Sequence, residues 1–116
     1  MNNAEFNDFV AKCALELSGD DGDFLAFHLG DDWAEVWASF VDHFGEGNSP
    51  QDCVDAYAGQ YDSEIDYAQQ YVDDTGMLDA APELVRMYFD YEAFARDIFI
   101  SDLAYGDKGH VFYTQW

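Results

Sequence analysis

The stretch DWAEVWASFVDHF, residues 32–44, decides the fold class of this chain. Its apolar residues recur every three or four positions, which is the spacing of one face of an α-helix. Asp31 and Asp32 stand at its start, where carboxylates complement the helix dipole. The pattern therefore predicts a helix with one face committed to a core, and that face consists of Trp33, Val36, Trp37, Phe40 and Phe44.

The same periodicity, in weaker form, flanks this helix on both sides. Towards the N-terminus it predicts a helix over residues 4–17, followed by a Gly- and Asp-rich loop over 18–23 and an apolar run of unassigned type over 24–29. Towards the C-terminus, capping residues and a proline in the first turn predict four more helices, over 50–57, over 63–74, from Pro82, and over 91–101. In the helix over 63–74 we expect Ile65, Ala68 and Val72 to face inward. In the helix over 91–101, Glu92 precedes Arg96 by four residues, which is the favourable order for an ion pair.

Two short segments have strand composition, residues 58–61 and 110–114. We therefore predict an α+β protein that is predominantly helical and elongated, with a small antiparallel sheet near the C-terminus. The sequence GEGN at 45–48 is the best candidate for a boundary. It would separate a small helical subdomain, residues 1–48, from an α+β domain, residues 49–116.

Charge narrows the possible partners. Among 116 residues there are 25 Asp or Glu and only 4 Lys or Arg, which gives a formal net charge of -21. Disordered acidic chains are poor in aromatic residues, whereas this chain is 49% hydrophobic and 18% aromatic and should fold. Nucleic acid and anionic membranes would repel it, and strongly basic surfaces would attract it. We expect a basic partner protein, with no direct nucleic-acid binding and no membrane association.

The distribution of the acids suggests more than solubility. Negative charge occurs in every segment and is barely offset, whereas an ordinary soluble domain mixes both signs. Duplex DNA carries one negative charge per ~1.7 Å of axis, so 21 net charges correspond to roughly 36 Å of duplex, about ten base pairs. Carboxylates fixed on helices could imitate that row of phosphates. The alternative is a solvated acidic surface that recognises nothing.

No catalytic or metal-binding motif stands out. The DDGD stretch at 20–23 resembles the start of a calcium loop, but counting from Asp20 gives Leu25 at the sixth position and Asp31 at the twelfth, where an EF-hand needs Gly and Glu. We expect the widely spaced histidines, at 28, 43 and 110, to be surface or partly buried residues. The sequence also lacks a phosphate-binding glycine loop and a nucleophile elbow. We therefore predict no enzyme activity, no cofactor and no metal.

The cellular location is predicted from two kinds of segment that the sequence lacks, a transmembrane helix and a signal peptide. No run of about 18 apolar residues occurs, so we expect no transmembrane helix. Residues 1–5 show no basic segment followed by an apolar one, so we expect no signal peptide and a cytoplasmic protein. In that reducing compartment Cys13 and Cys53 should both be free.

Three segments carry a family resemblance: DAYAGQYDSE at 55–64, YFDYEAFARD at 88–97 and GHVF at 109–112. They resemble the plasmid- and transposon-borne antirestriction family called ArdA. The similarity runs over about 49–112 and matches that family's C-terminal domain, with a divergent, shortened part before it. The residues that carry the resemblance are Tyr57, Gly59, Tyr61, Phe89, Asp90, Tyr91, Glu92, Phe94, Arg96 and Asp97.

The resemblance implies a function. Members of this family are elongated homodimers that imitate bent B-form DNA, occupy the DNA groove of type I restriction-modification enzymes and dimerise through their C-terminal domain. It implies that this chain is a homodimeric DNA mimic, encoded by a phage or mobile element, that serves evasion of host defence. The predicted phosphate-mimic residues, called here the acidic surface, are Asp31, Glu35, Asp42, Glu46, Asp62, Glu64, Asp66, Asp73, Asp74, Asp97 and Asp102.

Other functions stay open at this stage. The family has three small domains in a row and this chain is too short for all three, so its target could be another nucleic-acid-binding defence system such as a CRISPR effector. A second alternative is an acidic adaptor that binds a basic partner without imitating DNA. A third is a metal-dependent or carboxylate-based enzyme. The aromatic segment over 110–116 adds to the expectation of a homodimer.

Overall fold

The computed structural model describes residues 2–116, and Met1, the first residue of the predicted N-terminal subdomain, lies outside them. Over this range the chain forms seven α-helices, three strands and one 3-10 turn. The prediction of a predominantly helical α+β fold is confirmed. The molecule is also elongated, measuring 53 × 27 × 23 Å along its principal axes.

In chain order the elements are α1 (Asn3–Glu16), α2 (Gly19–Leu29), α3 (Trp33–Phe44), α4 (Pro50–Ala56), β1 (Tyr57–Gln60), α5 (Glu64–Thr75), α6 (Glu83–Met87), α7 (Tyr91–Ser101), β2 (Leu103–Tyr105), the 3-10 turn (Asp107–Gly109) and β3 (His110–Tyr113).

The sheet is small and antiparallel, as predicted, with β3 between β1 and β2. Phe112 of β3 lies opposite Tyr57 on one side and Ala104 on the other. A β-bulge interrupts β1 between Tyr57 and Gly59, and Gly59 has a φ of 113°, which L side chains rarely adopt. The third strand, β2, was not predicted because three residues carry too little alternation to be recognised.

Helix starts follow the capping residues. Ser49 begins α4 with a capping box, in which its Oγ accepts the amide of Asp52 at 3.2 Å and the Asp52 carboxylate accepts the Ser49 amide at 2.9 Å. The Ser49 amide, as the main cause, lowers the pKa of the Asp52 carboxyl. Asp90 caps α7 in a similar way by accepting the amide of Ala93 at 3.0 Å. Both starts were predicted from the sequence.

The predicted loop over 18–23 is wrong, because α2 begins at Gly19. Ser18 is its N-cap and accepts the amide of Asp21 at 3.1 Å. Asp20 and Asp21 then occupy the first turn, where their charges favour a helix N-terminus. Residues that were interpreted as loop formers therefore serve as capping and first-turn residues of a helix that continues to Leu29.

Two details of the later helices also differ from the prediction. Ile65 is 37% exposed, and Tyr67 takes the inward position instead, packing its ring against Tyr61 and Phe99. The expected pair between Glu92 and Arg96 does not form, although the spacing of four residues favours it. Both side chains are exposed, where such a pair adds little to stability.

The main core joins the N-terminal helices to the sheet. Buried side chains from α1, α2, α3 and α4 meet β3 in one cluster, which includes Phe6, Leu25, Phe40, Cys53 and Phe112. A smaller cluster lies between the sheet, α5 and α7 around Tyr67, Leu103 and Val111. Because the main cluster takes residues from both sides of 45–48, α3 and β3 stabilise each other. The division into residues 1–48 and 49–116 stays a prediction.

Candidate functional site

The acids form the most extensive feature of the surface. None of the 25 Asp and Glu side chains, all of which fall within the described residues, is buried. The four cationic side chains, Lys12, Arg86, Arg96 and Lys108, are exposed as well. Within residues 2–116 no Lys or Arg nitrogen lies within 4.0 Å of a carboxylate oxygen. The negative charge is therefore presented to solvent without internal neutralisation.

One part of the acidic surface forms a groove beside α5. Asp62, Asp66 and Asp73 line this shallow depression together with Gln60, Tyr61, Gln69 and Gln70. Asp66 and Asp73 are seven residues apart, which places them along one face of α5, and Asp62 lies directly before the N-cap of that helix. Ser63 holds the start of α5 by accepting the amide of Asp66 at 3.0 Å. We call Asp62, Asp66 and Asp73 the α5 acidic row.

The remaining predicted acids are more dispersed. Glu64 faces a separate depression beside α7, and Asp74 accepts a hydrogen bond from Gln70 at 2.8 Å. Glu46 lines a small cavity at the end of α3. Asp102 lies beside aromatic side chains at the end of α7. Asp31, Asp42 and Asp97 are exposed to solvent and line none of these depressions. Glu35, the last residue of the acidic surface, is only partly exposed.

Glu35 belongs to a hydrogen-bonded chain that reaches the interior. His110 is fully buried, with its Nε2 2.8 Å from a Glu35 oxygen and its Nδ1 2.8 Å from the Tyr57 hydroxyl. Because a carboxylate only accepts, Nε2 donates its proton to Glu35, which leaves Nδ1 to pair with the Tyr57 hydroxyl. Burial, followed by the charges of Asp32 and Glu35, raises the pKa of Tyr57 and keeps its hydroxyl protonated. These two hydrogen bonds connect α3, β1 and β3.

The expectation that all three histidines are at or near the surface is thus wrong for His110. The pairing escaped sequence analysis because Glu35 and His110 are separated by 75 positions, and only the tertiary fold brings them together. An acid in the first turn of α3 and a histidine at the start of a strand carry no shared local signal.

The same place is the one cluster of possible metal ligands in the described part of the chain. Ligand atoms of Asp32, Glu35 and His110 all lie within 4.8 Å of one another. Both nitrogens of the His110 ring are already engaged in hydrogen bonds, so a metal would have to displace Glu35 from Nε2. The positive end of the α3 dipole also disfavours a cation here. The arrangement is accounted for by its hydrogen bonds alone.

Removing the Tyr57 hydroxyl tests this chain of hydrogen bonds. Tyr57→Phe would leave the buried Nδ1 of His110 without a partner, so we expect the free energy of unfolding to fall by about 1–3 kcal/mol. Tyr88→Phe is the matched control, because Tyr88 is 79% exposed and its replacement should change stability by less than ~0.5 kcal/mol. Urea denaturation would measure both variants. Equal stabilities of the two would contradict a structural role for the Tyr57–His110 bond.

The family-motif residues shape the turn into the sheet and the start of α7. The Tyr61 carbonyl accepts the hydroxyl of Tyr105 at 2.9 Å, and its amide donates to Gly109 at 2.8 Å. The ring of Phe89 contacts those of Tyr91 and Phe94, with centroids 4.9 and 5.5 Å away. These motif residues therefore serve the fold, while Glu92, Arg96 and Asp97 are exposed.

An exposed apolar patch lies on and after α6. It consists of Leu84, Val85, Met87 and Tyr88, which are 52–79% exposed, and we call it the α6 patch. By contrast, much of the aromatic C-terminal segment is used internally. Phe112 is buried, and Trp116 packs against Phe40 and Phe44, with centroids 5.4 and 5.0 Å away. Sequence analysis missed the α6 patch because a five-residue helix carries too little periodicity to show an unpartnered face.

Fold and surface together define an elongated, acidic α+β protein whose most extensive surface feature is an array of carboxylates. In the described part of the chain, no helix has both the length and the apolar content to cross a membrane. A family model described as "Antirestriction protein (ArdA)" matches residues 5–112. The chain belongs to this ArdA antirestriction family.

Membership of the ArdA family implies an antirestriction function for this protein, that is, inhibition of restriction enzymes. The match includes α1, α2 and α3 and so extends beyond the three segments that carry the resemblance in the sequence. Searches of curated proteins and of solved structures returned no significant match to this chain.

Proposed function

We propose that this protein inhibits a type I restriction-modification enzyme by presenting carboxylates in place of DNA phosphates in the enzyme's DNA groove. The observation that carries this proposal is the exposure of the carboxylates without any Lys or Arg partner among residues 2–116. A basic groove would supply the missing counter-charge. Association would release ions from that groove, as DNA binding does.

Charge density supports imitation of DNA. The net charge of -21 spread over a 53 Å axis corresponds to about one negative charge per 2.5 Å. Duplex DNA carries one charge per ~1.7 Å, so the two linear densities are similar. An acidic adaptor that binds a basic partner without regard to geometry would not need this density along a rod-shaped molecule.

Rigidity also supports the proposal. In the α5 acidic row, Asp66 and Asp73 lie on a helix that is capped by Ser63 and packed through buried Tyr67 and Val72, and Asp62 directly precedes that cap. Its carboxylates are therefore held at nearly fixed spacing before binding, and little backbone entropy is lost on association. A disordered acidic tail would have to lose that entropy when it binds. We place the centre of the phosphate-mimic face at this row.

A DNA cleavage assay tests the proposal. A purified type I restriction-modification enzyme would cut its substrate plasmid in the presence of increasing amounts of this protein. We expect cleavage to stop near stoichiometric amounts, and a type II endonuclease, as a control for non-specific acidity, to keep its activity. Inhibition of both enzymes alike would contradict specific mimicry. Inhibition of a CRISPR effector but not of the type I enzyme would support the alternative target.

The proposed homodimer would use the α6 patch. Its four side chains offer apolar area that two chains could bury together, while Glu83 and Asp90 lie at its edge, where they can stay in contact with water. Leu84→Asp should make the protein monomeric in sedimentation experiments at micromolar concentration. Leu15→Asp changes a side chain that is 86% exposed elsewhere and should leave the dimer intact. A wild-type monomer would refute the dimer.

The same proposal implies where the protein acts and where it comes from. Restriction enzymes act on DNA inside the cell, so the inhibitor would act in the cytoplasm. A phage or mobile element that enters a restricting host gains from such an inhibitor, and we propose that origin for the chain.

A further inference from the structure

A small cavity lies where α1 and α3 end side by side. Its volume is about 220 Å³. The apolar part of its lining consists of Leu17, Trp37, Val41 and the buried thiol of Cys13. The polar part consists of Glu16, Glu46, Asn48 and the two glycines of the loop at 45–48.

The electrostatics of this cavity favour a cation. Helix α1 ends at Glu16 and α3 ends at Phe44, so the negative ends of two helix dipoles lie beside the cavity. The last carbonyls of any helix lack intrahelical partners and can accept hydrogen bonds from a ligand. Burial and then the charge of Glu16 raise the pKa of the Cys13 thiol, with a smaller contribution from Glu46.

Nothing within the described residues neutralises the two carboxylates. Neither Glu16 nor Glu46 has a side-chain hydrogen bond or an ion pair there. Lys12 is four residues before Glu16, but that order of charges is the less favourable one on a helix, and no ion pair forms. The carboxylates are therefore free to receive an external cation.

We propose that this cavity takes one arginine side chain of the partner protein, an inference that rests on the proposed function. The methylene stem of arginine would lie on Leu17 and Val41, and its planar guanidinium would stack on the indole of Trp37. Glu16 and Glu46 would accept its hydrogen bonds in the forked geometry that arginine prefers. The cavity thus concentrates binding energy at one anchor, whereas the α5 acidic row spreads it over many contacts.

A small probe tests the cavity without the partner. Nα-acetyl-arginine amide would be titrated into the ¹⁵N-labelled protein, with the uncharged isostere Nα-acetyl-citrulline amide as the control ligand. We expect arginine alone to shift the amides of Gly45, Gly47 and Asn48 and the indole of Trp37. The shifts should vanish in Glu16→Gln/Glu46→Gln and persist in Asp73→Asn/Asp74→Asn, which removes the same charge from α5. Equal responses to both ligands, or no shifts, would overturn the proposal.

A second experiment separates this inference from the proposed function. Displacement of duplex DNA from the type I enzyme would be measured for the two double variants. We expect Glu16→Gln/Glu46→Gln to weaken displacement roughly tenfold more than Asp73→Asn/Asp74→Asn does, because Glu16 and Glu46 line one cavity with the Trp37 indole and would hold a single guanidinium together, whereas Asp73 and Asp74 would make separate surface contacts. Equal losses would overturn the arginine anchor and leave mimicry intact. If the wild-type protein displaces no DNA, the proposed function fails, and the probe titration alone decides the cavity.

Discussion

Replacing Phe112 with alanine is expected to lower the free energy of unfolding by about 3–5 kcal/mol, the usual cost of removing a fully buried phenylalanine ring. Phe112 is 0% exposed, and its ring contacts Phe40, Phe44 and Tyr57 at centroid distances of 5.4–6.1 Å. The variant would open a cavity at the contact between α3 and the sheet. Urea denaturation followed by circular dichroism would measure the loss.

The matched control is Phe27→Ala. Phe27 is 84% exposed, so the same chemical change there should alter stability by less than ~0.5 kcal/mol. Both variants should unfold in a single transition if the core that joins α3 to β3 makes the chain one cooperative unit. Two separate transitions in the wild-type protein would instead favour independent subdomains over residues 1–48 and 49–116.

Neutralising four acids on and directly before α5 should weaken binding to the type I enzyme by about 30- to 1,000-fold at low salt. The variant is Asp62→Asn/Asp66→Asn/Asp73→Asn/Asp74→Asn, and the estimate assumes about 0.5–1 kcal/mol for each phosphate-like contact. Each single change should cost only about two- to fivefold, because a mimic spreads its energy over many contacts. Fluorescence anisotropy of labelled variants with the purified enzyme would measure the affinities.

A charge-matched variant controls for long-range attraction. It changes four exposed acids outside the acidic surface to asparagine, namely Asp8, Asp23, Asp55 and Asp79. We expect it to lose distinctly less affinity than the α5 variant. Equal losses would show that net charge alone governs binding, and a large loss from a single change within the α5 acidic row would contradict a surface that spreads its binding energy over many contacts. Both variants should remain folded, because removing like charges relieves repulsion.

Local signals predicted most of the helices. The apolar stripe of α3 and the caps at Ser49 and Asp90 lie within single segments, so sequence alone identified those helices and their starts. The prediction was wrong at Ser18. The Gly and Asp residues that follow it were interpreted as a loop, although the serine was in position to cap a helix. The Gly and Asp content of residues 18–23 indicated a loop, whereas the bond from the Asp21 amide to the Ser18 hydroxyl stabilises the start of a helix.

The functional surface was predictable only in part. Charge count and spacing indicated exposed acids along α5, because a solvated helix face is a local property. The bond between Glu35 and His110 and the cavity between α1 and α3 depend on which helices pack together. The preference for Tyr67 over Ile65 in the core likewise reflects aromatic neighbours, Tyr61 directly after β1 and Phe99 on α7, that the local pattern of α5 does not contain.

The most direct test of DNA mimicry is displacement of a fluorescent duplex from a purified type I restriction-modification enzyme, measured over a series of salt concentrations. DNA mimicry predicts stoichiometric displacement at low salt, with an inhibitor affinity that falls steeply as salt rises, because binding to a basic groove releases ions. Formation of a ternary complex, in which the enzyme holds duplex and inhibitor together, would show that the protein does not occupy the DNA groove.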